Sequence, residues 1–155
     1  MPTLYMLIGV PGSGKSTWVC SNADPRAIVA SSDDYIEAMA AREGKTYSEV
    51  FDQHIKAANQ HVATTVATAV NKGADIVWDQ TNLNAKSRKP KLAAIPDEYE
   101  KIAVVFPTPG DDEWKKRLAS RPGKIIPSNI LLGMKSSVQM PTKDEGFDEV
   151  IVVNG

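Results

Sequence analysis

The segment Gly9–Thr17, with the sequence GVPGSGKST, constrains the fold of this chain more than any other feature. It follows an apolar run that predicts a buried strand over Thr3–Gly9, and it leads into a predicted helix over Gly14–Asn22. The spacing GxxxxGK(S/T) between a strand and a helix is typical of a loop whose backbone N–H groups surround phosphate oxygens. The segment therefore predicts the strand–loop–helix unit of an α/β fold that binds a phosphorylated ligand.

The rest of the chain alternates short apolar runs with helical patterns. Further strands are predicted over Ala27–Ala30, Ala74–Trp78, Ile102–Phe106 and Val150–Val153. Helices are predicted over Asp33–Arg42, Ser48–Asn71, Asn84–Ala94, Asp111–Ser120 and Ser128–Gln139, with a loop over Arg121–Pro127. Short strands separated by helices predict a five-stranded parallel sheet with helices on both faces. Ligands of such a sheet bind beyond the carboxyl ends of its strands.

Length and composition limit the function classes further. The 155 residues fit one ordinary domain, and we expect residues 1–155 to form it. Lys plus Arg number 18 and Asp plus Glu number 19, which excludes a strongly basic, histone-like protein but leaves room for a local basic groove. The lone cysteine, Cys20, excludes a disulfide framework and fits a reducing cytoplasm. Without a secretory pattern or an apolar run of about 18 residues, we expect a cytoplasmic protein with no membrane segment.

The phosphate loop (Gly9–Thr17) gives a task to each residue type. Its glycines let the backbone curl around phosphate, Lys15 neutralises the β- and γ-phosphates, and Ser16 supplies a hydroxyl ligand to Mg²⁺. A chance glycine-rich turn is the alternative, which the strand before the loop and the helix after it disfavour. We therefore expect ATP and Mg²⁺ as ligands. The residues expected to bind the nucleotide from this loop are Gly9, Pro11, Gly12, Ser13, Gly14, Lys15, Ser16 and Thr17.

Two acidic positions follow predicted strands. Asp33 comes after the second strand and is the candidate general base, because a kinase needs a carboxylate to take the proton of the acceptor hydroxyl. Asp79 ends the third apolar run, where a metal-associated acid stands in such folds, and we expect it near Mg²⁺. Each position has an ordinary alternative. Asp33 could cap the next helix instead, and Asp79 could be a plain turn residue.

Basic residues form two groups late in the chain, Lys86, Arg88, Lys89 and Lys91, then Lys115, Lys116, Arg117, Arg121 and Lys124. Transferring phosphoryl groups need cationic partners, and Arg121 and Arg117 are the candidates for that catalytic role, beside Lys15. The two arginines are four residues apart and share a helical face if the helix extends that far. For the lysines we expect a solvated helix face, with the acids of the preceding turn pairing to Lys116 and Arg117.

These segments resemble the kinase domains of polynucleotide 5′-kinases, including phage and animal DNA-repair enzymes. Ile8–Trp18 is similar to their phosphate loop, and Asp33–Tyr35 resembles the segment that carries their general base. Asp79–Asn84 resembles an Asp-x-Thr-Asn-x-Asn stretch near their active site. Arg117–Arg121 resembles their lid, and Pro141–Phe147 resembles the segment before their last strand. The resemblance covers most of the chain.

The resemblance implies a P-loop NTPase/kinase fold with a small arginine-bearing lid, in a stand-alone kinase domain. It implies transfer of phosphate from ATP, with Mg²⁺, to the 5′-hydroxyl of a polynucleotide, as in DNA or RNA repair. Asp33 would then act as the base, and Arg121 would contact the phosphates of ATP. At Ile36 the chain departs from the phage enzymes, which carry an arginine there that helps bind the acceptor strand.

This departure keeps the identity of the acceptor open. A nucleic acid 5′ end is one candidate, and a modified base in DNA, a nucleoside or another small alcohol is the other. A different class also stays open, because a P-loop ATPase or nucleotide switch uses the same loop and transfers phosphate only to water.

Overall fold

The computed structural model describes residues 1–154. Its strands are β1 (Thr3–Ile8), β2 (Ile28–Ser31), β3 (Ile76–Asp79), β4 (Glu100–Val105) and β5 (Glu149–Val152). Its helices are α1 (Lys15–Asn22), α2 (Ser32–Glu43), α3 (Tyr47–Lys72), α4 (Ala85–Ala93), α5 (Asp111–Ala119) and α6 (Ser128–Ser137), with a short 3₁₀ turn over Lys143–Glu145. The strands pair in parallel in the order β2-β3-β1-β4-β5. The predicted five-stranded parallel sheet is confirmed.

Helices pack on both faces of the sheet, because the central strand is apolar on both sides. In β1, successive side chains point to opposite faces. Leu4 and Met6 pack with Val62 of α3 in one buried cluster. Leu7, on the other face, packs in a second cluster against Val19 of α1. A strand buried on both faces fits a parallel sheet between two helical layers.

The ends of the strands differ from the apolar runs that predicted them. β3 continues through Asp79, one residue beyond the predicted end, because Asp79 pairs with Ser31 at the end of β2. β4 begins at Glu100 rather than Ile102, because Glu100 pairs with Thr3 of β1. The backbone ladder decides where a strand ends, whereas hydropathy reports only which side chains are buried. Asp79 is therefore the last paired residue of β3, opposite Ser31, the residue that precedes α2.

The longest helix, α3, begins and ends at its capping residues. Thr46 and Glu49 form a capping box, in which the Thr46 hydroxyl accepts from the Glu49 N–H and the Glu49 carboxylate accepts from the Thr46 N–H at 2.9 Å. Gly73 follows the helix with φ of 64°, as expected for a left-handed cap. The box fixes the first turn of α3, which lies at the carboxyl edge of the sheet. None of the helices within residues 1–154 is long and apolar enough to cross a membrane.

Arg88 of α4 is wholly buried, which its place in a basic group of the sequence did not indicate. Its Nε and Nη2 atoms donate to the two carboxylate oxygens of Glu145 at 2.9 and 3.1 Å, and Nη1 donates to the carbonyl oxygen of Asn82 at 2.9 Å. Glu145 lies in the turn before β5, and Asn82 lies between β3 and α4. This bidentate pair therefore ties the segment after β3 to the last strand.

Replacing Glu145 by Gln should lower the free energy of unfolding by about 3 kcal/mol, because the buried Arg88 cation loses its counter-charge. The double variant Arg88→Met/Glu145→Gln should lose less than the sum of the two single losses, since neither charge is then left alone. Lys89→Met, a change at an exposed position on the same helix, should stay within about 0.5 kcal/mol of wild type. Urea unfolding measures five proteins: wild type, Glu145→Gln, Arg88→Met, the double variant and Lys89→Met. Strictly additive losses would contradict the coupling.

Candidate functional site

Glycine is required in the phosphate loop for two different reasons. Gly14, the residue before α1, has φ of 105°, a conformation that L side chains rarely adopt. At Gly9 the constraint is space, because a Cβ atom would lie 2.5 Å from Ser13 Oγ and 2.9 Å from Phe106 Cβ. The loop folds tightly over the end of β1, and the first turn of α1 lines the adjacent cavity. Free N–H groups and the dipole at that helix end favour an anion.

Helix α5 braces this loop. Trp114 is buried, and its Nε1 donates to the carbonyl oxygen of Pro11 at 2.7 Å. Arg117 donates from Nη1 to the carbonyl oxygen of Gly12 at 3.3 Å and from Nε to Glu113 Oε1 at 2.9 Å. The expected ion pair between Glu113 and Arg117 is present. Arg117 also contacts the loop backbone, which its spacing did not predict.

A cavity of about 1340 Å³ opens at the carboxyl edge of the sheet. A pocket for one small ligand has roughly 300–1,000 Å³, so this cavity has room for a nucleotide and a second molecule. The predicted site residues that line it are Pro11, Gly12, Ser13, Gly14, Lys15, Ser16, Thr17, Asp33, Asp79, Arg117 and Arg121. Gly9 is the exception, since it is buried beneath the loop. The structure thus brings together residues from four separate parts of the sequence.

Lys15 and Asp79 influence each other's protonation in this cavity. Burial lowers the pKa of Lys15 to about 8, and the carboxylates of Asp79 and Asp33 oppose part of that shift. Burial also raises the pKa of Asp79 to about 6, against the attraction of the Lys15 cation. Lys15 Nζ donates to the carbonyl oxygen of Gly9 at 2.7 Å. Lys15, Asp79 and Asp33 therefore lie close enough to act on one another through their charges.

The residues of the cavity fit a Mg²⁺ ion that is also coordinated by phosphate oxygens. Ser16 and Asp79, the two residues predicted for the metal, both line the cavity and offer oxygen atoms, which Mg²⁺ prefers. Across residues 1–154, no group of three or more His, Cys, Asp or Glu side chains could hold a metal ion. Mg²⁺ usually binds through one or two protein oxygens together with substrate phosphates and water. The Ser16 and Asp79 donors match that mode.

The raised pKa of Asp79 predicts a pH-dependent loss of stability. The unfolded carboxyl has a pKa near 3.8, so between about pH 4 and pH 6 the folded chain keeps a proton that the unfolded chain has lost. Stability therefore falls as pH rises through that window. Asp79→Asn cannot ionise, and in EDTA without nucleotide it should exceed wild type by on the order of 2 kcal/mol at about pH 7.5 and match it near about pH 4. Thermal unfolding at both pH values measures this, and a pH-independent difference would contradict it.

Asp33 lies in the first turn of α2 but does not cap the helix. Ser31 is the capping residue, and its Oγ accepts from the Asp34 N–H at 3.3 Å. Asp33 Oδ1 instead accepts a hydrogen bond from the hydroxyl of Tyr47 at 2.5 Å. The capping alternative for Asp33 is therefore wrong. The carboxylate stands in the wall of the cavity, where the proposed base must be.

Arg121 lies beyond the end of α5. Because α5 ends at Ala119, Arg117 and Arg121 do not share the helical face that their spacing predicted. The Arg121 N–H donates to the carbonyl oxygen of Leu118 at 3.2 Å, and its side chain lines the cavity. Its Nη1 atom is buried and has no hydrogen-bond partner in the part of the chain that the structure describes. A buried guanidinium nitrogen of this kind suits an anion such as phosphate.

The resemblance placed the lid at Arg117–Arg121, but Arg117 belongs to α5, so we define the lid as residues 120–127. The lid is docked on the start of α3. The Ser48 N–H donates to the carbonyl oxygen of Gly123 at 3.0 Å, and the Ile125 N–H donates to Ser48 Oγ at 2.7 Å. Gly123 has φ of 72°, and a Cβ atom there would lie 2.9 Å from Thr46 Cβ. Glycine at this position therefore allows the close approach between the lid and the helix.

The expectation of solvated lysines is wrong at two positions. Lys124 of the lid forms an ion pair with Glu37 of α2, and its Nζ lies 4.7 Å from the centre of the Tyr47 ring. Lys91 donates to Asn82 Oδ1 at 2.5 Å, and burial lowers the pKa of Lys91 to about 8. The lysines that are exposed, as expected, are Lys86, Lys89, Lys115 and Lys116.

Two residues that position parts of this site were not among the predicted site residues. Asn82 is buried with φ of 48°, and its Nδ2 donates to the carbonyl oxygen of Leu7 at 2.8 Å, which anchors the segment after β3 to the end of β1. Asn adopts this left-handed conformation more readily than most residues, but it is also common in ordinary loops, so the signal is weak. Tyr47 carries a clearer signal, because it directly follows Thr46 of the capping box and so begins α3.

Ile36, where the chain departs from the phage enzymes, does not reach the cavity. It is wholly buried and packs with Ala40 of α2 and with Val50 and Ala58 of α3. The carboxylates that line the cavity beside Asp33 are Asp34, Glu37 and Asp52. Partial burial and the Glu37 charge raise the pKa of Asp34 above its usual range. The chain thus has a packing residue at position 36, and the neighbouring wall carries these three carboxylates and one lysine, Lys124, which pairs with Glu37.

Comparison with known proteins agrees with this fold. A family model described as an AAA domain matches residues 4–141. Human heterogeneous nuclear ribonucleoprotein U-like protein 2 is 28% identical to this chain over an alignment 157 residues long, gaps included. The alignment covers 95% of this chain and 21% of that protein. The mouse protein of the same name is 27% identical over the same coverage, so the chain spans about a fifth of the length of the curated relatives it matches.

Two solved structures are similar to the chain in fold. A chain in the structure of the Pnkp1/Rnl/Hen1 RNA repair complex is 23% identical with a TM-score of 0.69, over 95% of this chain and 46% of that chain. A sugar kinase from Janibacter sp. HTCC2649 is 18% identical with a TM-score of 0.66, over 99% of this chain and 85% of that chain. At these identities the likeness shows a shared fold, which is the kinase-like P-loop fold predicted from the sequence.

Proposed function

The chain belongs to the AAA domain family, and on that premise we propose that it transfers the γ-phosphate of ATP to an alcohol, with the 5′-hydroxyl of a polynucleotide as the leading acceptor. One observation carries the proposal. The Asp33 carboxylate lines the same cavity as the phosphate loop, and so does the Arg121 guanidinium, whose buried Nη1 has no hydrogen-bond partner within residues 1–154. A proton acceptor and a phosphate-binding cation are the two groups that phosphate transfer to a hydroxyl needs beyond the loop itself.

In this proposal the phosphate loop binds ATP and the other residues act on the transferring group. Lys15 and the N–H groups of the first turn of α1 hold the phosphates. Ser16 and Asp79 hold Mg²⁺, which when bound neutralises charge on the β- and γ-phosphates. Arg121 and Arg117 stabilise the charge that spreads over the transferring phosphoryl oxygens.

The transfer step then needs no covalent enzyme intermediate. The acceptor oxygen bonds to the γ-phosphorus while its proton passes to Asp33. The bond between the γ-phosphorus and the β–γ bridging oxygen breaks, and ADP leaves with the electron pair of that bond. The protein contributes position and charge stabilisation, which supply most of the rate enhancement in phosphoryl transfer.

Two kinds of acceptor have support of different origin. The resemblance to polynucleotide 5′-kinases and the fold shared with a chain of an RNA repair complex favour a nucleic acid 5′ end. The buried Ile36 and the excess of carboxylates over lysine in the wall beside Asp33 favour an acceptor with no phosphate at that point, such as a nucleoside, a modified base or a small sugar alcohol. The fold shared with a sugar kinase is consistent with this second candidate.

The test uses γ-labelled ATP and Mg²⁺ with four acceptors: a 5′-hydroxyl oligonucleotide, its 5′-phosphorylated twin, a mixture of nucleosides, and a mixture of small sugar alcohols. Wild type is compared with Lys15→Ala and with Lys89→Ala, which changes an exposed lysine of α4. Label on the 5′-hydroxyl strand alone, lost in Lys15→Ala and kept in Lys89→Ala, supports the leading acceptor. Label only on the small molecules supports the second candidate. Phosphate release to water with no labelled acceptor would overturn the kinase proposal in favour of an ATPase.

A further inference from the structure

We infer that Tyr47 is a positioning residue that links the lid to the proposed base: its hydroxyl holds Asp33 and its ring holds Lys124. The inference rests on the proposed function for the role of Asp33, whereas the contact with the lid is independent of it.

The hydroxyl of Tyr47 fixes one oxygen of the base. It donates to Asp33 Oδ1 at 2.5 Å, across the gap between α3 and α2. Burial and the Asp33 carboxylate raise the pKa of Tyr47 far above its usual range, so the phenol keeps its proton at any working pH. A phenol that always donates leaves the second oxygen, Oδ2, to accept the proton of the substrate hydroxyl. Proton transfer needs such a fixed geometry within hydrogen-bond reach.

The ring of Tyr47 supports the lid at the same time. Lys124 Nζ lies 4.7 Å from the ring centre, and the Lys124 side chain is only 14% exposed. Ser48, the residue after Tyr47, forms hydrogen bonds with the lid backbone at Gly123 and Ile125, on both sides of Lys124. The Lys124 N–H also donates to the carbonyl oxygen of Arg121 at 3.2 Å, in one tight turn. The contact between Tyr47 and Lys124 therefore also restrains the backbone of Arg121, the arginine that faces the phosphates.

Two substitutions separate the two contacts. Tyr47→Phe keeps the ring on Lys124 and on its neighbour Phe51, 5.6 Å away between ring centres, and removes only the hydroxyl. Tyr47→Leu removes both the hydroxyl and the aromatic face. If the inference is right, the first substitution loosens the base alone and the second loosens the base and the lid.

The first arm of the experiment measures turnover with the acceptor identified by the labelling assay. Tyr47→Phe should lower kcat by about 10- to 100-fold, as expected for a displaced catalytic group, with KM for ATP within about twofold of wild type. In an Asp33→Asn background the same change should have no further effect on kcat, because both act on one function. Tyr99→Phe is the matched control, since it removes a buried hydroxyl that donates to the carbonyl oxygen of Ala74, far from the cavity. It should lower the melting temperature without changing kcat.

The second arm measures the lid by tryptic cleavage after Lys124, a bond followed by Ile125. Tyr47→Leu should be cut about tenfold faster than wild type at matched fraction folded, and Tyr47→Phe at the wild-type rate. Tyr47→Met, which also lacks the aromatic face, should be cut as fast as Tyr47→Leu, so this arm does not depend on the fold of one variant. Ser48→Ala removes a lid hydrogen bond that does not involve the ring, and it is the positive control for faster cleavage.

The outcomes distinguish the inference from the proposed function. Wild-type kcat in Tyr47→Phe, or losses that multiply with Asp33→Asn, overturns the base contact while the kinase proposal stands. Wild-type cleavage in both Tyr47→Leu and Tyr47→Met, with faster cleavage in Ser48→Ala, overturns the contact between the ring and the lid. No transfer by the wild-type protein to any acceptor removes the proposed function and the base contact with it, and the cleavage rates still decide the lid contact.

Discussion

Replacing Asp33 by Asn should reduce kcat by about 10³-fold and leave ATP binding unchanged. The amide keeps the size of the side chain and can still accept from the Tyr47 hydroxyl through its oxygen. It cannot take a proton, so the acceptor oxygen must attack while it still carries its hydrogen. In the proposed function ATP binds through the phosphate loop and Arg121, whose atoms the substitution does not touch. Asp79, which acts on the pKa of Lys15 more strongly than Asp33 does, remains to keep Lys15 protonated. The effect should therefore appear in kcat and not in the dissociation constant of ATP.

The control for this prediction is the neighbouring acid. Asp34→Asn removes a carboxylate next in sequence, at an exposed position of the same helix turn, and should change kcat by less than about tenfold. Initial rates at saturating ATP give kcat for both variants, and equilibrium binding of a fluorescent ATP analogue gives affinity. Equal turnover in Asp33→Asn and wild type would remove Asp33 from the role of base, whatever the acceptor.

The fold was predictable because its signals are local and repeated. The apolar run before Gly9 specifies one strand, and the alternation of strands with helices leaves few topologies. The strand ends were less predictable, because Asp79 and Glu100 belong to the ladder through their partners' backbone and not through their own hydropathy. Local chemistry carries no information on such pairing.

The candidate site was predictable where the functional residues lie close together in the sequence at a fixed spacing, as in the phosphate loop. It was not predictable where a residue acts through a distant partner. Arg88 looks like part of a basic surface until Glu145, 57 residues later, is found beside it. Tyr47 and Asp33 are 14 residues apart on different helices, and their contact depends on how α2 packs against α3. Spacing identifies groups that share one element, whereas packing decides which elements meet.

Arg121 is expected to behave in opposite ways in stability and in turnover. Its Nη1 atom is buried without a hydrogen-bond partner among the described residues, and such a group destabilises a folded chain by about 1–3 kcal/mol. Its charge also helps to lower the pKa of Lys15, so two cations that repel each other are held in one cavity. An arrangement that is unfavourable for folding is expected at a site that binds an anion.

Arg121→Gln should therefore raise the melting temperature of the protein without nucleotide and lower kcat by about 10³-fold, the effect of an arginine that stabilises a transferring phosphoryl group. Adding Mg²⁺ and ATP should stabilise wild type more than the variant, because wild type regains partners for its buried guanidinium. Arg121→Lys should recover only part of kcat, since an ammonium offers one point charge where the guanidinium offers a planar fork. Lys116→Gln, at an exposed position of α5, is the matched loss of one positive charge and should leave both properties near wild type. Melting curves with and without nucleotide, together with initial rates, measure both effects. If Arg121→Gln is less stable than wild type without nucleotide and equally active, Arg121 stabilises the lid and does not bind the phosphates.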